Sequence, residues 1–125
     1  MGAGLRDIAP KEVYYAKIDW TDNAEGDGGG TTEKNLVAAV SGKRIEVISF
    51  FYSSSNASYN SKWATGTAGS TPTDLTGSIT VATNGVVKGG WNPDAHFRTV
   101  AGQNLVLIRS NNALDLCGWI TYILT

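Results

Sequence analysis

Short runs of alternating apolar and polar residues, separated by turn residues, recur along the whole 125-residue chain. From Tyr14 to Trp20 every second residue is apolar, which is the period-2 pattern of a half-buried strand. The segment 75–81 repeats that pattern, and no segment carries the 3.6-residue period of a helix. The sequence therefore predicts an all-β fold built from short strands.

The composition of the chain agrees with an all-β fold, and the length of the chain limits it to one domain. The chain contains 15 glycines, and small polar residues of this kind are poor helix formers. Hydrophobic residues make up 42% of the chain, which excludes a disordered protein. A chain of this length folds as one domain. We predict a single antiparallel β-sandwich of about eight strands with a jelly-roll topology.

The sequence also predicts how this domain is organised. Residues 1–12 lack periodicity and are expected to form an extended N-terminal arm, and the sandwich is expected to span 13–125. The segment 21–34 is predicted to be an exposed loop, because five acids, no base and four glycines lie between Asp19 and Glu33.

Two local signals concern chain geometry. The apolar parity of the strand predicted at 43–52 switches near Ile48, which indicates either a bulge or burial on both faces. Asn84-Gly85 is typical of a type I′ hairpin turn, so the segments 75–81 and 86–91 are predicted to pair.

The C-terminal strands are apolar on both faces. This holds for 105–108 and for 114–124, where Cys117, Trp119 and Ile123 lie opposite the larger apolar set. A strand of a two-sheet sandwich has one inward face, so the arm, a loop or another subunit must cover the second face. The residues predicted for an oligomer interface are Leu105, Leu107, Leu114, Leu116, Trp119 and Ile123.

Charge, hydropathy and cysteine content exclude several classes. A net charge of −1 argues against nucleic-acid binding, which needs many unneutralised bases. No apolar run approaches the ~20 residues of a membrane span, and the N-terminus lacks the pattern of a signal peptide, so synthesis in the cytoplasm is expected. The single Cys117 permits no internal disulfide and is expected to be a buried, inert thiol.

Candidate catalytic and metal-binding residues are few. Asp94 and His96 could share a strand face, but no nucleophile motif accompanies them, so no catalytic residue is predicted and a small hydrolase ranks last. Residues 23–28 imitate the first half of a calcium loop without the closing acid or the flanking helices. A solvated loop is the preferred interpretation, and neither a metal nor a cofactor is predicted.

Exposed aromatic side chains could bind sugar rings, although most of the aromatics here are expected to fill the core. Tyr59 and Trp63 lie in a polar stretch and are the pair predicted to be exposed. They define an alternative function, a carbohydrate-binding β-sandwich.

Six short segments, in this order and spacing, resemble small all-β virion proteins of tailed bacteriophages. The resemblance covers roughly residues 35–124. The segments are 38–47 (AAVSGKRIEV), 75–79 (LTGSI), 84–85 (NG), 91–93 (WNP) followed by Phe97, 101–105 (AGQNL) and 118–122 (GWITY).

This resemblance implies a capsid decoration or cement protein with a jelly-roll fold, bound to the outside of a capsid shell. Expected partners are the major capsid protein and further copies of this chain, as a dimer or a trimer, and the expected location is the capsid surface. The first 34 residues lie outside the resemblance. We expect the arm to contact the shell, through Leu5, Arg6, Ile8 and Pro10. In the carbohydrate-binding alternative the protein would sit on a head fibre or the tail.

Overall fold

A computed structural model of the chain describes residues 12–21 and 31–125. In these ranges the chain forms ten β-strands and no helix, which confirms the all-β prediction. The predicted arm, except Glu12, and most of the predicted acidic loop lie outside the described residues. The loop was predicted to reach residue 34, but the second strand already begins at Glu33.

The strands are short and follow one another through turns. They are β1 (Tyr14–Trp20), β2 (Glu33–Val37), β3 (Ile45–Ser53), β4 (Tyr59–Gly66), β5 (Thr73–Asp74), β6 (Ile79–Val81), β7 (Val86–Gly89), β8 (Phe97–Arg98), β9 (Asn104–Arg109) and β10 (Leu116–Leu124).

These strands form two antiparallel sheets that pack as a sandwich, as predicted. Sheet A has the order β1-β10-β3-β7, and β8 also pairs with β3. Sheet B has the order β2-β9-β4-β5, and β6 also pairs with β4. Ten strands are present in the described residues, where the sequence predicted about eight.

The core lies between the two sheets and is rich in aromatics. The Trp63 ring stacks on Phe97 at a centroid distance of 5.3 Å, and the buried Tyr52 hydroxyl hydrogen-bonds Ser61 Oγ at 2.9 Å. Trp63 is fully buried, so its prediction as an exposed ligand aromatic is wrong. Its strand position has the same parity as Ser61, which also points inward.

Four residues of the predicted oligomer interface also belong to this core. Leu105, Leu107, Leu114 and Leu116 have no exposed surface, and all four join the main buried cluster. Placing them at an oligomer interface was wrong, because the opposite sheet of the same chain already covers them. Inward strand parity buries Leu105, Leu107 and Leu116 within one subunit, and the turn before β10 buries Leu114.

The hairpin predicted around Asn84-Gly85 is also wrong in its pairing. The turn is not the predicted type I′ turn either: Gly85 N donates to Ala82 O at 2.8 Å, so Thr83 and Asn84 are its central residues, and of the two only Asn84 has a positive φ, 60°. Its two flanking strands lie in different sheets, since β6 pairs with β4 and β7 pairs with β3. The turn therefore carries the chain from sheet B to sheet A.

A buried arginine closes one end of the core. Arg109 Nε and Nη2 donate to Thr31 O at 3.0 and 2.9 Å, and Nη1 donates to Leu114 O at 2.8 Å. The guanidinium carbon lies 4.0 Å from the centroid of the Trp20 ring. Arg109 therefore joins the start of β2 to the turn before β10, a role that the sequence analysis missed.

Candidate functional site

The outer face of sheet A, which points away from the core, is shielded at one end, where Ile48 and Ile123 are buried beside the turn at 91–94, and is more open at Tyr15, Lys17 and Cys117, which are exposed. Strand parity and register place on it Tyr15, Lys17, Asp19, Glu46, Ile48, Ser49, Phe51, Ser53, Val86, Lys88, Cys117, Trp119, Thr121 and Ile123. Tyr15 is 64% exposed and Val86 53% exposed, which is unusual for large apolar residues. This face is the candidate binding surface.

An aromatic pair lies at the centre of this face. Trp119 and Phe51 are direct partners across β10 and β3, and their rings stack at a centroid distance of 6.1 Å with 13° between planes. Lys17 flanks the pair on β1 and Lys88 flanks it on β7. The result is a row of four side chains in which two half-buried rings are bounded by two cations.

Cys117 lies in the next row of the same face. It is exposed, so the expectation of a buried thiol is wrong. Partial desolvation against the sheet raises the pKa of the Cys117 thiol, and the charges of Asp19 and Asp115 raise it further. The thiol is therefore accessible but poorly ionised at neutral pH.

At one end of the outer face of sheet A lies a groove of about 530 Å³. Its lining residues are Val13, Glu46, Ile48, Trp91, Pro93, Asp94, Arg98 and Ile123. Trp91 is 65% exposed, although indole is the largest apolar side chain available to the core. We call this site the Trp91 groove.

A β-bulge shapes the floor of the Trp91 groove. Thr121 pairs with Ser49 and Tyr122 with Val47, so Ile48 is the extra residue of β3. The parity switch in the sequence is thus confirmed as a bulge. The bulge turns Ile48 toward the groove while Val47 stays in the core.

The turn that carries Trp91 and Asp94 is fixed by hydrogen bonds to this bulge. Asn92 N donates to Ile48 O at 2.8 Å, and Asn92 Oδ1 accepts from Asp94 N at 3.0 Å. Ala95 adopts φ 68°, a left-handed conformation that is strained for a residue with a Cβ. The groove wall is therefore rigid rather than a free loop.

Three charged side chains surround the apolar floor of the groove. Glu46 and Arg98 are neighbours across β3 and β8, and Glu46 Oε2 accepts from Thr125 Oγ1 at 2.8 Å. Arg98 Nη2 donates to the backbone oxygen of Asp94 at 2.9 Å. These contacts orient one carboxylate and one guanidinium toward the same space.

The outer face of sheet B is different, because a loop of the same chain covers it. Ala68 is buried against Val106 and Ala64 in a second small cluster. Asn35 Oδ1 accepts from Ala68 N at 2.9 Å, and this bond fastens the loop to β2. Of the three covers predicted for the second face of the C-terminal strands, a loop is therefore the one found over β9.

The residues that the sequence predicted to form common sites lie in different parts of the structure. Trp119 and Ile123 lie on the outer face of sheet A, apart from the four buried interface leucines. Tyr59 is 37% exposed at the start of β4 in sheet B, away from the outer face of sheet A. Leu5, Arg6, Ile8 and Pro10 of the predicted arm lie outside the described residues.

His96 has a structural contact that the sequence did not indicate. Its Nε2 hydrogen-bonds Gly90 O at 2.6 Å, and its ring meets Phe50 edge-on at 5.2 Å. Within 12–21 and 31–125 no group of three His, Cys, Asp or Glu side chains is placed to hold a metal ion.

Sequence reasoning missed Trp91, Glu46 and Arg98 as members of one site. They are distant along the chain, and the parity switch at Ile48 was the one signal near them. The alternation of residues along one strand does not show which other segments lie beside it, and this groove forms where a bulge, a turn and a strand end meet.

Comparison of the chain with models of protein families, with curated proteins and with solved structures gave no significant match in any of the three. In the part of the chain that the structure describes, no helix has the length and apolar character needed to cross a membrane.

Proposed function

We propose that this chain is a structural protein of a bacteriophage virion, a capsid decoration or cement protein that stabilises the shell from outside. In this proposal it is not an enzyme and binds neither nucleic acid nor a membrane. It is made in the host cytoplasm and ends on the capsid surface. The support comes from the sequence resemblance over 35–124 and from the surface described above.

The strand order supports a jelly-roll fold as part of this proposal. If β5 with β6, and β7 with β8, are each counted as one position, eight positions remain. The first then pairs with the eighth, the second with the seventh, the third with the sixth and the fourth with the fifth. Such nested pairing is what a rolled-up double Greek key produces.

The observation that carries the proposal is the partly exposed region of the outer face of sheet A around Trp119 and Phe51. Its central Trp119–Phe51 stack is only half-buried in one chain, and further exposed apolar side chains surround it. Aromatic residues at the centre of an apolar patch supply most of the energy of protein interfaces. We propose that this face binds a second copy of the chain.

Charge on the same face supports a symmetric contact. Lys17 and Asp19 form an exposed pair at 3.5 Å on β1, and Lys88 lies on the opposite side of the stack. In a two-fold interface each residue meets the same surface turned around. A patch with an apolar centre and charges of both signs at its rim is able to pair with itself.

The mass of the purified protein in solution tests the self-association. We expect a multiple of the 13.2 kDa chain mass, and a shift to the monomer mass in Trp119→Asp, because a buried unpaired charge opposes association. Phe51→Thr should act in the same direction with less risk to folding. Tyr59→Asp, which changes an exposed aromatic outside this face, should keep the wild-type mass. A monomeric wild-type protein at all concentrations would contradict self-association.

Binding to purified capsid shells tests the second half of the proposal. We expect the wild-type protein to saturate shells that lack it, and the protein without residues 1–12 to show lower occupancy at equal concentration. Linked copies gain from effective concentration, so Trp119→Asp should also weaken retention. Unchanged occupancy without 1–12 would remove the arm from the mechanism, and failure of the wild-type protein to bind shells would reject the decoration function.

A further inference from the structure

We propose that the Trp91 groove binds a neutral saccharide. The proposal does not rest on the virion function, since it follows from the shape and charge of the groove itself. It also differs from the carbohydrate site predicted at Tyr59 and Trp63, because Trp63 is buried in the core.

The shape of the groove fits one ring face. The exposed indole of Trp91 forms a wall, and Ile48 and Ile123 contribute an apolar floor. Its volume of about 530 Å³ is that of a small-molecule site, which typically has about 300–1,000 Å³. A pyranose ring offers a face of C–H groups to an indole, while its hydroxyls project sideways.

The charges of the groove favour a ligand that both donates and accepts hydrogen bonds. The two carboxylates of Glu46 and Asp94 would oppose an anionic ligand, and a purely cationic ligand would offer no acceptor to the Arg98 guanidinium. Hydroxyl groups both donate and accept hydrogen bonds, so they can use the carboxylates as acceptors and the guanidinium as a donor. A neutral polyhydroxylated ring can bond to all three groups while its apolar face rests on the indole.

The site is also built before any ligand arrives. The turn bearing Trp91 and Asp94 is anchored by Asn92 N on Ile48 O and by His96 N on Val47 O, and these bonds hold Ala95 at its positive φ. Thr125 Oγ1 orients Glu46, and the backbone oxygen of Asp94 orients Arg98. A weakly binding ligand gains affinity from a preorganised site, because little side-chain freedom is lost on binding.

The test begins with the binding of the wild-type protein to an array of neutral, acidic and cationic glycans. Each glycan that binds is then titrated into the protein as the free saccharide. We expect binding to neutral glycans. Trp91→Ala should weaken it roughly tenfold or more, in line with the energy of one aromatic stacking contact and lost apolar area. Arg98→Met should weaken it while leaving the fold intact, because Arg98 lies exposed at the groove rim.

Two control variants locate the effect. Tyr15→Ala removes an equally exposed aromatic of the same sheet face outside the groove and should leave binding unchanged. Tyr59→Ala should likewise have no effect. The proposal would be overturned if Tyr59→Ala alone lost binding, or if Tyr15→Ala lost as much binding as Trp91→Ala. It would also be overturned if the protein preferred charged glycans, or if the folded wild-type protein bound no glycan.

The two proposals fail separately. Trp91→Ala should keep the solution mass and capsid retention of the wild-type protein, and Trp119→Asp should keep glycan binding per chain while losing association. A glycan result therefore says nothing against the virion function, and a monomeric protein with glycan binding would leave the groove proposal standing.

Discussion

Both sheets carry apolar side chains on their outer faces, but the chain covers these side chains to different extents in the two sheets. Both C-terminal strands, β9 and β10, are apolar on the face that points away from the core. Over β9 the loop after β4 closes the outer face with Ala68, whereas on sheet A the turn at 91–94 shields the end near Ile48 and Ile123, and Trp119 on β10 stays partly exposed. A doubly apolar strand therefore does not by itself indicate a partner subunit.

The size of the side chains explains which face could be closed locally. Sheet B presents small residues such as Ala64 and Val106, so one short loop with one alanine fills the space above them. Sheet A presents the Trp119–Phe51 stack, and the turn beside it presents the exposed Trp91, so larger aromatic side chains keep contact with solvent there. We therefore place both proposed binding sites on sheet A.

The largest effect is expected from a charge beneath the loop of sheet B. Ala68→Asp should lower the free energy of unfolding by about 2–4 kcal/mol, because an unpaired carboxylate would be buried or the loop would detach. Urea denaturation followed by circular dichroism measures it. Ser70→Asp, at an exposed position of the same loop, is the matched control and should change little. Equal stability of the two variants would mean that the loop does not close sheet B.

The next largest effect concerns the close approach of β10 and β3 in sheet A. A Cβ on Gly118 would collide with the backbone oxygen of Phe51 and lie 2.6 Å from Tyr52 Cα. Gly118→Ala should therefore lower the free energy of unfolding by about 1–3 kcal/mol. Gly77→Ala, where an added Cβ meets nothing within 4 Å, should stay near the wild-type value in the same denaturation measurement. Full stability of Gly118→Ala would show that the strand spacing beneath the aromatic row is not constrained.

Alkylation of Cys117 reports directly on whether sheet A is covered. The raised pKa of this thiol means less thiolate at pH 8, so iodoacetamide should react more slowly with the folded chain than with the unfolded one. The rate should rise with pH beyond the ordinary thiol midpoint. In the associated protein we expect a further slowing of about fivefold or more, set by the free fraction. A rate independent of protein concentration would argue that sheet A stays open.

The smallest effect is expected at the polar rim of sheet B. Lys62 Nζ and Asp74 Oδ2 lie 3.1 Å apart and both side chains are partly solvated. Lys62→Ala should lower the free energy of unfolding by less than about 1 kcal/mol, and a double-mutant cycle with Asp74→Ala should give an equally small coupling. A larger coupling would mean that ion pairing, rather than the Ala68 loop, protects this face.

Single strands and their inward faces were predictable, while the sites were largely not. The alternation in β1 correctly predicted an inward face with Ile18 and Trp20, and the parity switch in β3 correctly indicated a bulge. The polar context of Trp63 was misleading, because Ser61 and Thr65 beside it also point inward. Local polarity does not show which way a strand faces when hydroxyl groups find partners in the core.

The sequence by itself determined the class of fold, because period-2 patterns and turn residues act over a few neighbouring positions. The tertiary structure alone decided which strands share a sheet, as at Asn84-Gly85, and which apolar face remains open, as at Trp119. It also brought Glu46, Trp91 and Arg98 into one groove. Those outcomes depend on contacts between residues far apart in the chain. The spacing of residues along one strand does not predict these contacts.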